Sequence, residues 1–153
     1  MHRKGRIHRK RCLSCTTSKK HPAFEKYVVF IDKNKGLYKI RAATPIKEIN
    51  RYGTELQSLF QSIKDRIAKT YGEPQVIDTI DPESHLRDDN FWMHALNDGA
   101  RKLLAFWGKS PLTDNLNAVA LKCIASNPYR GYLMLEYEFK NYNTIEDDQD
   151  SVF

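Results

Sequence analysis

Cys12 and Cys15 are two residues apart, with His8 and His21 on either side, which is the raw material of a metal or redox site. Structural zinc requires four nitrogen or sulfur ligands in a tetrahedron. The pattern H-x3-C-x2-C-x5-H is cramped for that purpose, and no strand-then-helix context marks it as a redox motif. Inert thiols are expected. A second group, His85, Asp88, Asp89 and His94, has the types for metal binding or acid–base work. Asp88 and Asp89 also stand where a helix begins, and carboxylates there cap free N–H groups and favour the dipole. Capping is the simpler reading. Glu136 and Glu138 alternate with Leu135, Tyr137 and Phe139 and so share one strand face. Paired carboxylates serve glycosidases, but Lys39, Arg41 and Lys122 on other strands make cross-strand ion pairs the expected use. Trp92, Trp107, Phe60, Phe91 and Phe106 have the size to line a ligand pocket and are expected instead to fill a helix–sheet interface. No glycine-rich phosphate loop or nucleophile elbow is present. The residues predict no catalytic group, no metal and no cofactor.

The charge is divided unevenly along the chain. Arg3, Lys4, Arg6, Arg9, Lys10, Arg11, Lys19 and Lys20 all lie in residues 1–20, which hold no Asp or Glu. Of the 25 basic and 19 acidic residues, 17 and 19 remain for the rest, so the basic character belongs to the first segment alone. Such a run can neutralise phosphates and bind RNA or DNA in a salt-sensitive way. It lacks an aromatic residue to stack on bases. Residues 1–20 therefore read as a disordered basic tail, residues 21–142 as one domain, and 143–153 as an acidic, frayed end.

Any chemistry has to be positioned by that central domain. FEKYVVFID, the turn KNKG and LYKIRAAT read as a β-hairpin. Leu56, Leu59, Phe60, Ile63, Ile67 and Tyr71 recur every three or four residues and predict a helix, stopped by Gly72 and Pro74. Asn50 or Thr54 would open it. Gln75–Ile80 suggests a short strand. A second helix runs from Asp88 or Asp89 to Asp98, with Phe91, Trp92, Ala95 and Leu96 inward and His94 outward. Leu103–Trp107 is a strand. The last two strands form a hairpin with Val119, Leu121, Cys123, Ala125, Leu133, Leu135, Tyr137 and Phe139 facing the core. The order β-β-α-(β)-α-β-β-β predicts an α+β fold, a single antiparallel sheet with two helices packed on one face.

The strings HPAFEKYVVF, GLYKIRA, RYGTELQSLF, YGEP and GYLMLEYEF resemble a group of uncharacterised bacterial proteins over about residues 21–142. The resemblance implies a bacterial origin and a self-contained domain. It implies no activity and assigns no site residue. Similar proteins carry a further segment ahead of this start.

Three cysteines, an odd number, and a basic start with no apolar stretch behind it favour reduced thiols in the cytoplasm. No apolar run approaches the ~20 residues of a membrane span. Taken together these features predict a non-enzymatic domain that binds a protein partner, inhibitor- or immunity-like by size and fold class. The expected contact face is Lys39, Arg41, Lys122, Tyr132, Met134, Glu136 and Glu138, where an aromatic and a Met lie amid charges. The alternatives are a nucleic-acid-associated protein tethered by residues 1–20 and a hydrolase with a site assembled from His85 or His94 beside a carboxylate.

Overall fold

The computed structural model describes residues 8–11, 23–113 and 115–141. They form one antiparallel sheet with two helices on one face, the predicted α+β architecture. The strands are β1 (His8–Arg11), β2 (Lys26–Asp32), β3 (Gly36–Ala43), β4 (Lys47–Glu48), β5 (Gln75–Ile80), β6 (Arg101–Trp107), β7 (Leu116–Asn127) and β8 (Arg130–Phe139). Along the sheet their order is β1-β2-β3-β8-β7-β6-β5, with the two-residue β4 pairing separately with β8. The helices are α1 (Thr54–Tyr71) and α2 (Trp92–Asp98).

Strand alternation decides which residues meet the helices. Leu103, Ala105 and Trp107 of β6, Val119, Leu121 and Cys123 of β7, and Leu133 and Leu135 of β8 form one core with Leu56, Phe60, Ile63 and Ile67 of α1 and with Trp92 and Met93 of α2. Leu121 registers with both Ala105 and Leu135, so the core runs across three strands without interruption. Each fully buried Leu, Ile, Val or Met here contributes about 1.5–3 kcal/mol. Leu59 and Tyr71, at the margins of the α1 stripe, are only partly buried.

Polar links tie these layers together. The Trp107 indole N–H donates to the Gly72 carbonyl at 2.7 Å, locking the end of β6 to the end of α1. The buried Thr44 exchanges two bonds with Leu133: its N–H donates to the Leu133 carbonyl at 3.0 Å, and its hydroxyl accepts the Leu133 N–H at 2.9 Å. Gly53 stands at the start of α1 with φ of 65°, and a Cβ there would run into the Trp92 ring. Asn50 Oδ1 accepts the Thr54 N–H at 3.2 Å, so Asn50 serves the helix start while Gly53 makes the turn.

Some expectations differ from what is observed. His8–Arg11, within the first twenty residues, forms β1 and pairs antiparallel with β2; a run of basic residues gives no alternation from which to read a strand. The second helix begins as a 3-10 turn at Asp89–Phe91. That shift rotates Phe91 out to 43% exposure and turns Met93 inward. Phe106, out of phase with Ala105 and Trp107, is opposite Ala120 and outside the core cluster. Ala125, Tyr137 and Phe139 pack against the core as expected, but remain partly exposed. Among the described residues no helix is long and apolar enough to cross a membrane.

Candidate functional site

The sheet face opposite the helices gathers the residues expected to form a contact face. Register sets Lys39 against Glu138 and Arg41 against Glu136, and places Lys122 opposite Met134. Tyr132 lies two residues before Met134, opposite Ile124. Arg41 donates from Nε to Glu136 Oε1 at 2.9 Å, and its Nη2 lies 2.9 Å from the same oxygen. Lys39 Nζ lies 3.8 Å from Glu138 Oε1. Both cations also lie over the Phe30 ring, 5.8 Å and 5.4 Å from its centroid. Two cations, two carboxylates and an aromatic thus satisfy one another. Lys122 is one step off Glu136 in register and makes no ion pair among the described residues.

The His85–His94 group is not brought together. Asp88 accepts the backbone and side-chain N–H groups of Asn90 at 2.9 and 2.8 Å, which is the capping role expected of it. His85 is exposed in the loop. Asp89 turns toward Arg101. His94 is half-buried between Phe91 and Tyr129, with ring centroids at 6.3 and 5.7 Å in edge-on geometry. Its Nδ1 is enclosed and has no hydrogen-bond partner among the described residues.

Those rings mark a surface that the sequence did not announce. Phe91 is 43% exposed, Tyr129 66% and Tyr52 42%. Loop hydrogen bonds bring their segments together. The Ile49 N–H donates to the Tyr129 carbonyl at 2.8 Å and the Met93 N–H to the Arg51 carbonyl at 3.1 Å. Arg51 lies over the Tyr52 ring at 5.0 Å and donates to its hydroxyl at 2.9 Å. Beside them a depression of about 540 Å³ is lined by Tyr52, Gln57, Asp78, Asp89, Trp92 and Arg101, among others.

Arg101 is the residue that sequence reading missed. It follows a helix end and passes for a surface cation, yet its spacing is in phase with Leu103, Ala105 and Trp107, and the residue is only 8% exposed. The spacing was the signal. Elsewhere, burial pushes the Cys123 thiol up to about 12, aided by the charge of Asp78. Burial likewise raises the Tyr137 phenol to about 12, with Tyr71 and Tyr27 adding to it. Both groups are neutral, and neither is poised as a nucleophile. Among the described residues no three His, Cys, Asp or Glu side chains are grouped as metal ligands. Cys12, Cys15 and His21, like Arg3, Lys4, Arg6, Lys19 and Lys20, lie outside the described residues, whereas Arg9, Lys10 and Arg11 belong to β1.

No family model, curated protein or solved structure matches the chain.

Proposed function

We propose that the domain is a non-enzymatic, protein-binding module of the bacterial cytoplasm, and that it meets its partner at the α2 end. The observation that carries this reading is the exposed pair Phe91 and Tyr129, edge-on to His94, with exposed Tyr52 under Arg51 in the segment that the Met93 to Arg51 backbone bond ties to α2. Tyr and Arg are enriched among the residues that dominate binding energy, and Tyr presents large contact area at little entropic cost. The charged sheet face is the less favoured surface. Lys39 and Arg41 there are already paired with Glu138 and Glu136, and a partner would have to displace those pairs. Inhibitor- or immunity-like action remains an analogy of size and fold class.

A second reading keeps the basic segment as a nucleic-acid tether. It is favoured by β1, which brings Arg9, Lys10 and Arg11 onto the sheet edge opposite Phe30, Val29 and Val28. Phosphate contacts of this kind would weaken steeply with salt.

Affinity capture with the full chain from extract of the source cells, with and without nuclease, separates the two. A discrete protein partner that survives nuclease and moderate salt supports the first reading. Recovery that disappears with either treatment makes the basic segment the functional element.

A further inference from the structure

Arg101 opens β6 on the helix-covered side of the sheet, so its side chain runs beneath α2 rather than into solvent. Every N–H of a guanidinium is a hydrogen-bond donor, and here none is used among the described residues. Nη1 lies 3.7 Å from Asp78 Oδ1 and Nη2 lies 3.7 Å from Asp89 Oδ1, both beyond hydrogen-bond distance. Nε is fully enclosed and has no acceptor among the described residues. The guanidinium carbon is 5.8 Å from the Trp92 ring centroid, which holds the group in place without satisfying it. A buried donor left unpaired is costly, the more so when charged, and native structures keep such groups rare. This one lines the depression beside α2, whose volume of about 540 Å³ lies in the range of small-molecule sites.

The surrounding charges narrow the choice of ligand. The side chains of Asp78 and Asp89 are 61% and 90% exposed and their carboxylates make no hydrogen bond within the described residues, so they are open to a donor from outside. A simple anion drawn to Arg101 meets both of them and is repelled. A simple cation drawn to them leaves the guanidinium unsatisfied and beside a like charge. A ligand with both signs on neighbouring groups suits all three side chains. Across the depression Thr54, Gln57 and Ser58, in the first turns of α1, form a polar wall that leaves room for a substituent.

We propose that this depression binds a zwitterion of the amino-acid class, its carboxylate seated on Arg101 and its ammonium taken by Asp78 and Asp89. A carboxylate matches the two parallel N–H bonds of a guanidinium fork, which Lys does not offer. The depression adjoins the proposed partner surface and shares Tyr52 with it, but its test requires no partner.

The test is a titration of the full chain with each of the twenty free amino acids singly, followed by ¹⁵N–¹H NMR, with acetate and methylammonium as half-ligands. The expected result is saturable movement of the Trp92 indole and Arg101 Nε–H signals with at least one amino acid, and with neither half-ligand. Asp89→Asn changes an exposed side chain and should weaken binding about tenfold, the equivalent of about 1.4 kcal/mol. Arg101→Lys should weaken it at least as much, with folding of both variants read from the same spectra. The proposal is overturned if no amino acid moves those signals, if acetate moves them equally well, or if Asp89→Asn binds as the parent does.

Discussion

Arg41 and Arg101 are both partly or wholly withdrawn from water beside carboxylates, and they are held in opposite ways. Arg41, on the open sheet face, places two nitrogens at 2.9 Å from one oxygen of the buried Glu136. Arg101, under the helices, lies 3.7 Å from each of two exposed carboxylates and bonds neither. The first is a closed pair that knits β3 to β8. The second is a charge held by packing, with its hydrogen-bonding capacity unspent. Proximity of opposite charges therefore does not tell a structural pair from an available one; hydrogen-bond distance does.

The contrast can be broken most severely through the wall that holds Arg101. Trp92→Ala removes an almost fully buried indole from between α2 and the turn at Gly53. It should cost about 3–5 kcal/mol in urea unfolding, as large aromatic truncations in cores do. Arg41→Ala comes next. It strands the buried Glu136 carboxylate and should cost about 1.5–3 kcal/mol, the range for hydrogen bonds to charged groups. Glu136→Gln together with Arg41→Ala should recover part of that loss.

Alkaline pH acts on two groups of the helix-covered side. The folded Cys123 and Tyr137 keep their protons to about 12, whereas their ordinary values are 9.0 and 10.0. Between those limits the unfolded chain has released protons that the folded chain still holds, so stability falls as pH rises. Denaturant midpoints should be insensitive to these two groups below 9.0 and decline above it, and Tyr137→Phe should flatten the upper part of the slope. The smallest effect is expected for Arg101→Met. With no hydrogen bond to lose among the described residues, and an apolar residue of similar length replacing a buried charge, stability should stay within about 1 kcal/mol or rise. A loss as large as that of Arg41→Ala would show that the 3.7 Å pairs with Asp78 and Asp89 are structural after all.

The fold was largely legible because each element carried its own period. The stripe from Leu56 to Ile67 has the spacing of a helix, and the alternation of Val119, Leu121 and Cys123 against Leu133 and Leu135 has that of paired strands. What the pattern did not hold was lost. β1 is made of consecutive basic residues, and β4 is only two residues long. Phe91 reads as core only when helical periodicity is extended into a turn that winds differently. The contact residues of the sheet face could be gathered from strand parity, but whether they pair with one another is a matter of register, which only the folded sheet fixes. Tyr52 and Tyr129 lie in turns, where no periodicity tells inside from outside. Arg101 was hidden by its chemistry: a charged residue is expected outside, and its phase with Leu103 and Ala105 says otherwise.

On the proposed reading the working surface is at the α2 end, while on the sheet face Lys39 and Arg41 are taken up by Glu138 and Glu136. The most direct test compares capture of the nuclease-resistant partner by two double variants, Phe91→Ser with Tyr129→Ser and Lys39→Ser with Glu138→Ser, each checked for folding by its melting curve. The account predicts that the aromatic pair abolishes capture and that the charge pair leaves it intact. Capture lost with the Lys39 and Glu138 variant and retained without Phe91 and Tyr129 would contradict it.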